Sequence, residues 1–191
     1  MRKNCFLCIS CLLLTILMSK VALAQKEEPV SKKHQIAVGV GLLTIPDVLT
    51  DISVIASDAV GQDVDEVRSS GAYSLSYRYF PNRQWGIGIT GVFEKIDVHY
   101  TNPAAKSTFN TFAMLVNGQF NYIMKPRFDL YSRLGAGICN FNQTGGGNTN
   151  DNIFAFQVTA IGVRAGGVFN TFVEAGFGFE GLIHAGISLR L

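Results

Sequence analysis

The chain has 191 residues, 48% of them hydrophobic, with 20 glycines and a formal charge of only +2. Without Arg2, Lys3 and Lys20, which sit in an expected leader, thirteen basic residues face fourteen acidic ones, so nothing in the charge favours a nucleic-acid partner. The size suits a single domain with a large apolar surface.

Residues 1–24 read as a secretory signal. Arg2 and Lys3 precede an apolar run, about Cys5–Met18, and Ala22 and Ala24 supply the small residues that cleavage near Ala24 requires. A membrane anchor fits less well, because the run is short and Lys20 interrupts its end. The mature chain then holds one cysteine, Cys139, and no internal disulfide. Residues 25–33 are charged, contain Pro29 and read as a periplasmic lead-in to the folded domain, 34–191. No other segment is long and apolar enough for a membrane helix, so a mature chain in a membrane must be a barrel.

From residue 34 the dominant signal is period-two alternation, the mark of strands with one apolar face. Strand one sets Ile36, Val38, Val40 and Leu42 against Ala37, Gly39 and Gly41. Residues 44–70 break the pattern with Pro46, six acidic residues (Asp47, Asp51, Asp58, Asp63, Asp65, Glu66) and one base, Arg68. Val48, Ile52, Ile55 and Ala59 recur at helical spacing, so a short helix over 46–60 and an irregular loop both remain open. Strand two, 71–80, sets Tyr73, Leu75, Tyr77 and Tyr79 against Ser74, Ser76 and Arg78, and a tight turn over 81–84 follows.

Strand three runs from Trp85 to about Tyr100, its parity blurring near Gly91–Glu94, where a bulge is expected. After a loop at 101–107, strand four sets Phe112, Met114, Val116, Phe120 and Tyr122 against Thr111, Ala113, Asn117, Gln119 and Asn121. Lys125-Pro126 turns into strand five, with Phe128, Leu130, Leu134, Ala136 and Ile138 opposite Asp129, Tyr131, Arg133, Gly135 and Gly137. A polar loop at 144–151 leads to strand six, 152–165, where Phe154, Phe156 and Val158 oppose Gln157 and Thr159. Strand seven places Thr171, Val173, Ala175, Phe177 and Phe179 opposite Glu174, Gly176 and Gly178. The last stretch alternates Ile183, Ala185, Ile187, Leu189 and Leu191 with His184, Gly186, Ser188 and Arg190. It can pair with strand one and leave no open edge.

Eight strands in hairpin order, short turns after strands two, four and six, and longer links after one, three and five resemble the small eight-stranded bacterial outer-membrane barrels of the OmpX and OmpA membrane-domain type. The end of the chain resembles the assembly signal of such barrels through His184, Gly186, Leu189 and Leu191, although the signal usually ends in an aromatic. The resemblance implies an all-β fold, an eight-stranded antiparallel up-and-down transmembrane β-barrel in a Gram-negative outer membrane. Outer-membrane lipids and the barrel-assembly machinery are its implied partners.

Alternation alone fits equally an inverse barrel, a soluble lipocalin-like carrier with its apolar face inside. The polar face here is rich in Gly with Ser, Thr, Asn and Gln, which suits a narrow lumen better than a solvent face. Tyr79, Phe80, Trp85, Tyr122, Phe128, Phe169 and Phe172 gather near the short turns, as an interfacial girdle would. The polar face also carries matched charges: Arg78, Arg133 and Arg190 against Glu94, Asp129 and Glu174. Eight strands enclose room only for their own side chains, so these six are expected to form a structural ion-pair network that plugs the lumen, and not an open pore.

Catalysis has little support. A lipid A deacylase would need a serine, histidine and acid at the outer surface. His99 with Asp97 is the best placed candidate, whereas His34 lies at the periplasmic end and Ser188 sits deep. No metal or cofactor site is expected: Asp63-x-Asp65-Glu66 lacks a full calcium-loop signature, and the glycines of 144–151 join two strands. The expected function is non-enzymatic surface interaction, with an unknown extracellular partner reached through residues 44–70 and 144–151. The deacylase-like enzyme and the soluble carrier are the alternatives.

Overall fold

The computed structural model describes residues 32–48, 64–101, 104–144 and 149–191. The leader, the lead-in before Lys32, and 49–63, which include most of the expected 46–60 helix, lie outside the described residues. Among the described residues nine strands appear: β1 His34–Leu42, β2 Val64–Ser69, β3 Ala72–Tyr79, β4 Trp85–Thr101, β5 Ala104–Lys125, β6 Phe128–Thr144, β7 Thr149–Gly166, β8 Phe169–Gly178 and β9 Ile183–Arg190. Both β2 and β3 pair with β4, so they form a single stave, interrupted at Ser70-Gly71 where Gly71 takes a φ of +72°. β1 pairs with β9 from Gln35↔Arg190 to Leu42↔Ile183, and β4 pairs with β5, which closes an eight-stave antiparallel barrel without a free edge. Among the described residues no helix is long and apolar enough to cross a membrane.

The alternation turns its apolar side outward. Leu75, Leu134, Ile138, Phe154 and Phe177 each expose more than half of their surface, whereas Arg78, Glu174 and Arg133 are at most 3% exposed. A water-soluble barrel would invert this, so the molecule is built for lipid. Tyr79, Trp85, Tyr122, Phe128 and Phe169 ring the short-turn end. A second aromatic row, Tyr73↔Phe93↔Phe112, crosses three staves at the other end. Trp85 and Phe93 are eight residues apart, about 26 Å along the strand, which at the usual tilt separates the two aromatic rows by about 20 Å of height.

Several elements depart from the sequence-based expectation. No bulge interrupts β4 at Gly91–Glu94, whose pairing with β5 is continuous there; the extra residue lies on the facing stave, between Ser69↔Ile96 of β2 and Tyr73↔Phe93 of β3. The parity blurs because Val92, Ile96 and Val98 are apolar yet point inward, filling the lumen near its outer mouth. Register shifts occur instead at Asn121/Ile123, Tyr131/Arg133 and Thr159/Ile161. Phe80 and Phe172 leave the expected girdle and turn inside, Phe80 over Gly86 and Phe172 over Gly39 and Gly186, where only glycine leaves space for a ring. Phe179 is also buried, because Gly178, at a φ of +147°, redirects the chain into the barrel. The expected loop at 101–107 is strand on both sides of residues 102–103, and Val64–Ser69 is strand within the expected 44–70 loop. A helical turn spans 45–48.

Candidate functional site

The lumen is filled in layers. Nearest the short turns, Asp129 accepts from Arg164 Nη1 (3.4 Å) and pairs closely with Arg190. Gln35, its carboxamide oxygen turned toward the donors, accepts from Ser188 Oγ (3.0 Å) and from Arg164 Nε and Nη2 (both 3.2 Å). The Arg164 guanidinium lies 4.5 Å from the centre of the Tyr131 ring. Tyr131 links this layer to the next by donating its hydroxyl to Glu174 Oε1 at 2.7 Å.

The second layer centres on Arg133. Its two terminal nitrogens donate to the two oxygens of Glu180 at 2.6 and 2.7 Å, a fork-on-fork pair, and Nη2 also meets Glu174. His184 Nδ1 lies 2.9 Å from Glu174 Oε2 and Nε2 lies 2.7 Å from Ser74 Oγ. A carboxylate only accepts, so Nδ1 carries a proton toward Glu174, and Nε2 shares a hydrogen bond with the serine hydroxyl. Arg78 donates to Asn117 Oδ1 at 3.3 Å and makes no direct ion pair among the described residues. Such geometry makes buried charge tolerable: every carboxylate oxygen in this layer has a donor.

Five of the six charges singled out in the sequence, Arg78, Asp129, Arg133, Glu174 and Arg190, lie in these two layers. Glu94 does not. An apolar layer of Ala72, Val92, Leu115, Ala113, Cys139, Ala155 and Phe179 lies between it and the arginines, because Glu94 stands six residues beyond Gly88, the strand partner of Arg78. Its companions are hydroxyls at the outer mouth, Thr44 and Ser69. Arg164, Glu180 and the core role of His184 were not singled out. The shift at Thr159/Ile161 reverses facing along β7 and so brings Arg164 inside. Glu180 sits in a turn, where alternation carries no information. Of the terminal signal residues, Gly186 lies under Phe172, and Leu189 pairs with Ile36 and Phe169. Leu191 exchanges backbone hydrogen bonds with His34.

Ser74, His184 and Glu174 stand in the order of a nucleophile, base and acid. Their surroundings leave no place for a substrate: Phe172 lies 5.1 Å from the His184 ring, and Arg133 and Tyr131 already occupy Glu174. Glu174, Glu180 and His184 also bring ligand-type atoms within 4.8 Å of one another. The Arg133 guanidinium, bonded to both carboxylates, stands where a metal ion would have to be. Near the other histidine candidate, Asp97 accepts from Thr108 Oγ1 (2.7 Å) and meets Lys95 Nζ (3.3 Å). The His99 side chain lies outside the described residues.

No protein-family model matches the sequence, and no curated protein is significantly similar to it. Among solved structures the chain is similar to Ail, the attachment invasion locus protein of Yersinia pestis, in complex with the heparin analogue sucrose octasulfate. The identity is 13% and the TM-score 0.42, over 82% of this chain and 92% of that one. A second structure of Ail matches at 14% identity and a TM-score of 0.39, with the same coverage.

Proposed function

We propose that this chain is a plugged anchor in a bacterial outer membrane, non-enzymatic, whose work is done by the sheet and segments that rise beyond the lipid. The observation that carries this reading is strand length. A crossing takes about 10 residues, yet β4, β5, β6 and β7 have 17, 22, 17 and 18. Beyond Phe93 and Phe112, β4 and β5 each continue for eight residues, about 25 Å of paired strand. Sheet of that length outside the lipid is dispensable for anchoring and serves to present a surface. The acidic 44–70 segment ends in β2, which pairs with this part of β4, and 144–151 joins the other tall pair. Lipids cover the outward band, and residues 184–191 serve as the assembly signal after cleavage near Ala24.

The test combines location with loss of a surface property. Expressed in a Gram-negative host, the protein fractionates with the outer membrane and runs faster on gels when unheated. Cells displaying it adhere to a cationic polymer coating more than cells displaying a variant with 49–63 replaced by a short Gly-Ser link. A soluble mature chain overturns the anchor. Equal adhesion by both cell types overturns the surface role of the acidic segment. A change in lipid A mass on overexpression would favour the deacylase-like alternative.

A further inference from the structure

Glu94 is the buried acid that the arginines do not serve. It points inward at the level of the outer aromatic row, 1% exposed, and accepts from Thr44 Oγ1 at 2.9 and 2.7 Å and from Ser69 Oγ at 3.2 Å. Thr44 and Asp47 brace each other: Asp47 N donates to Thr44 Oγ1 (3.1 Å) and Thr44 N to Asp47 Oδ2 (3.2 Å). Thr44 thus bonds both acids and sets the Asp47 carboxyl beside Glu94. Two neighbouring carboxylates need a proton or a cation between them. Among the described residues neither is in an ion pair.

Among the described residues two oxygens at this mouth are buried without a hydrogen-bond partner, Asp47 Oδ1 and Thr111 Oγ1. Thr111 is 3% exposed and is the cross-strand partner of Glu94, on the same inner face, so its idle hydroxyl is aimed at the same place. A buried hydroxyl and a buried carboxylate oxygen, both lacking partners beside a second carboxylate, describe a site with its ligand missing.

We propose that the outer mouth of the barrel binds a divalent cation of the calcium class, held by Glu94 and Asp47 with the hydroxyls of Thr111 and Ser69. All the donors are oxygens, which selects a hard cation. Donors drawn from four separate segments suit the adaptable shell of calcium, where magnesium demands a near-ideal octahedron. Two carboxylates match its charge. The ion would fasten Thr44–Asp47, which follow β1, and Ser69 of β2 to the wall of β4 and β5. It thereby clamps both ends of the acidic outer segment.

Equilibrium dialysis of the full mature protein, refolded in detergent, against radioactive Ca²⁺ tests this. One ion per chain is expected, with E94Q losing at least tenfold in affinity and T111V, which keeps the charge, about threefold. D63N/D65N, run alongside because those acids belong to the same segment, keeps the site. Calcium at ten times its dissociation constant raises the unfolding temperature of the wild type by about 4 °C and leaves that of E94Q unchanged. If E94Q fails to fold, D47N and T111V decide. The proposal falls if the folded wild type binds no calcium, or if binding is lost in D63N/D65N and not in E94Q. It also falls if stability ignores calcium and instead rises on acidification through Glu94, which would make the missing charge a shared proton.

Discussion

Arg133 shows what a single side chain does in so narrow a bore. It answers Glu180 with both terminal nitrogens and Glu174 with one, at 1% exposure. Arg133→Met strands two buried carboxylates, so it is expected to cost about 3–5 kcal/mol, read as a lower urea midpoint for unfolding from vesicles. R133M/E174Q/E180Q removes the charges together and should recover much of that loss. A midpoint unmoved in R133M would mean that the pairs carry no stability. Gly39 makes a second case. A methyl there would meet the His184 ring, the Phe172 ring and a backbone oxygen, so Gly39→Ala should cost about 1–3 kcal/mol in the same measurement. At this scale the facing of Arg78, Asp129, Arg133 and Glu174 was legible, because each stands opposite apolar neighbours in regular alternation. Who meets whom was not. Register is set by pairing across strands, and nothing in the sequence near Glu94 marks the apolar layer that parts it from the arginines.

For the strands, the rule and its exceptions have the same cause. A side-chain period of two makes facing readable until one extra residue reverses it. On β7 the reversal lies between Thr159 and Ile161, after which Gly162 and Arg164 face inward. Inserting one alanine between Gly162 and Val163 would turn Arg164 toward lipid and strip Asp129 and Gln35 of a partner. The insertion is therefore expected to lower the urea midpoint markedly or to abolish the heat-modifiable gel band, whereas deleting Ala160 removes the extra residue and keeps Arg164 inside. An insertion variant as stable as the wild type would refute the inward role of Arg164. Phe172 and Phe179 were misplaced for related reasons. Phe179 was sent outward by the parity of strand seven, and Phe172, which shares the parity of Glu174, was set in the girdle for its place near a short turn. Glycines opposite Phe172 and the kink at Gly178 make interior space for them.

For the whole molecule, barrel closure, strand count and the outward apolar band were all legible, since each follows from pattern and turn length. What the acidic segment does was less so, because charge without periodicity does not specify a shape. The layered interior has a direct electrical expectation. Side chains fill the bore from Asp129 at one end to Ile96 and Val98 at the other. The purified protein in planar bilayers should show none of the conductance steps of an open porin, and steady steps of that size would contradict the filled lumen.

The pairing of β1 with β9 also governs how such a molecule can come into being. Each intermediate with fewer staves presents two raw margins of unsatisfied amides and carbonyls, which hydrocarbon cannot solvate. Completion is thus nearly all-or-nothing: the earliest residues of the barrel wait for the latest, and a chain stalled before its ninth strand has no halfway shelter in the bilayer.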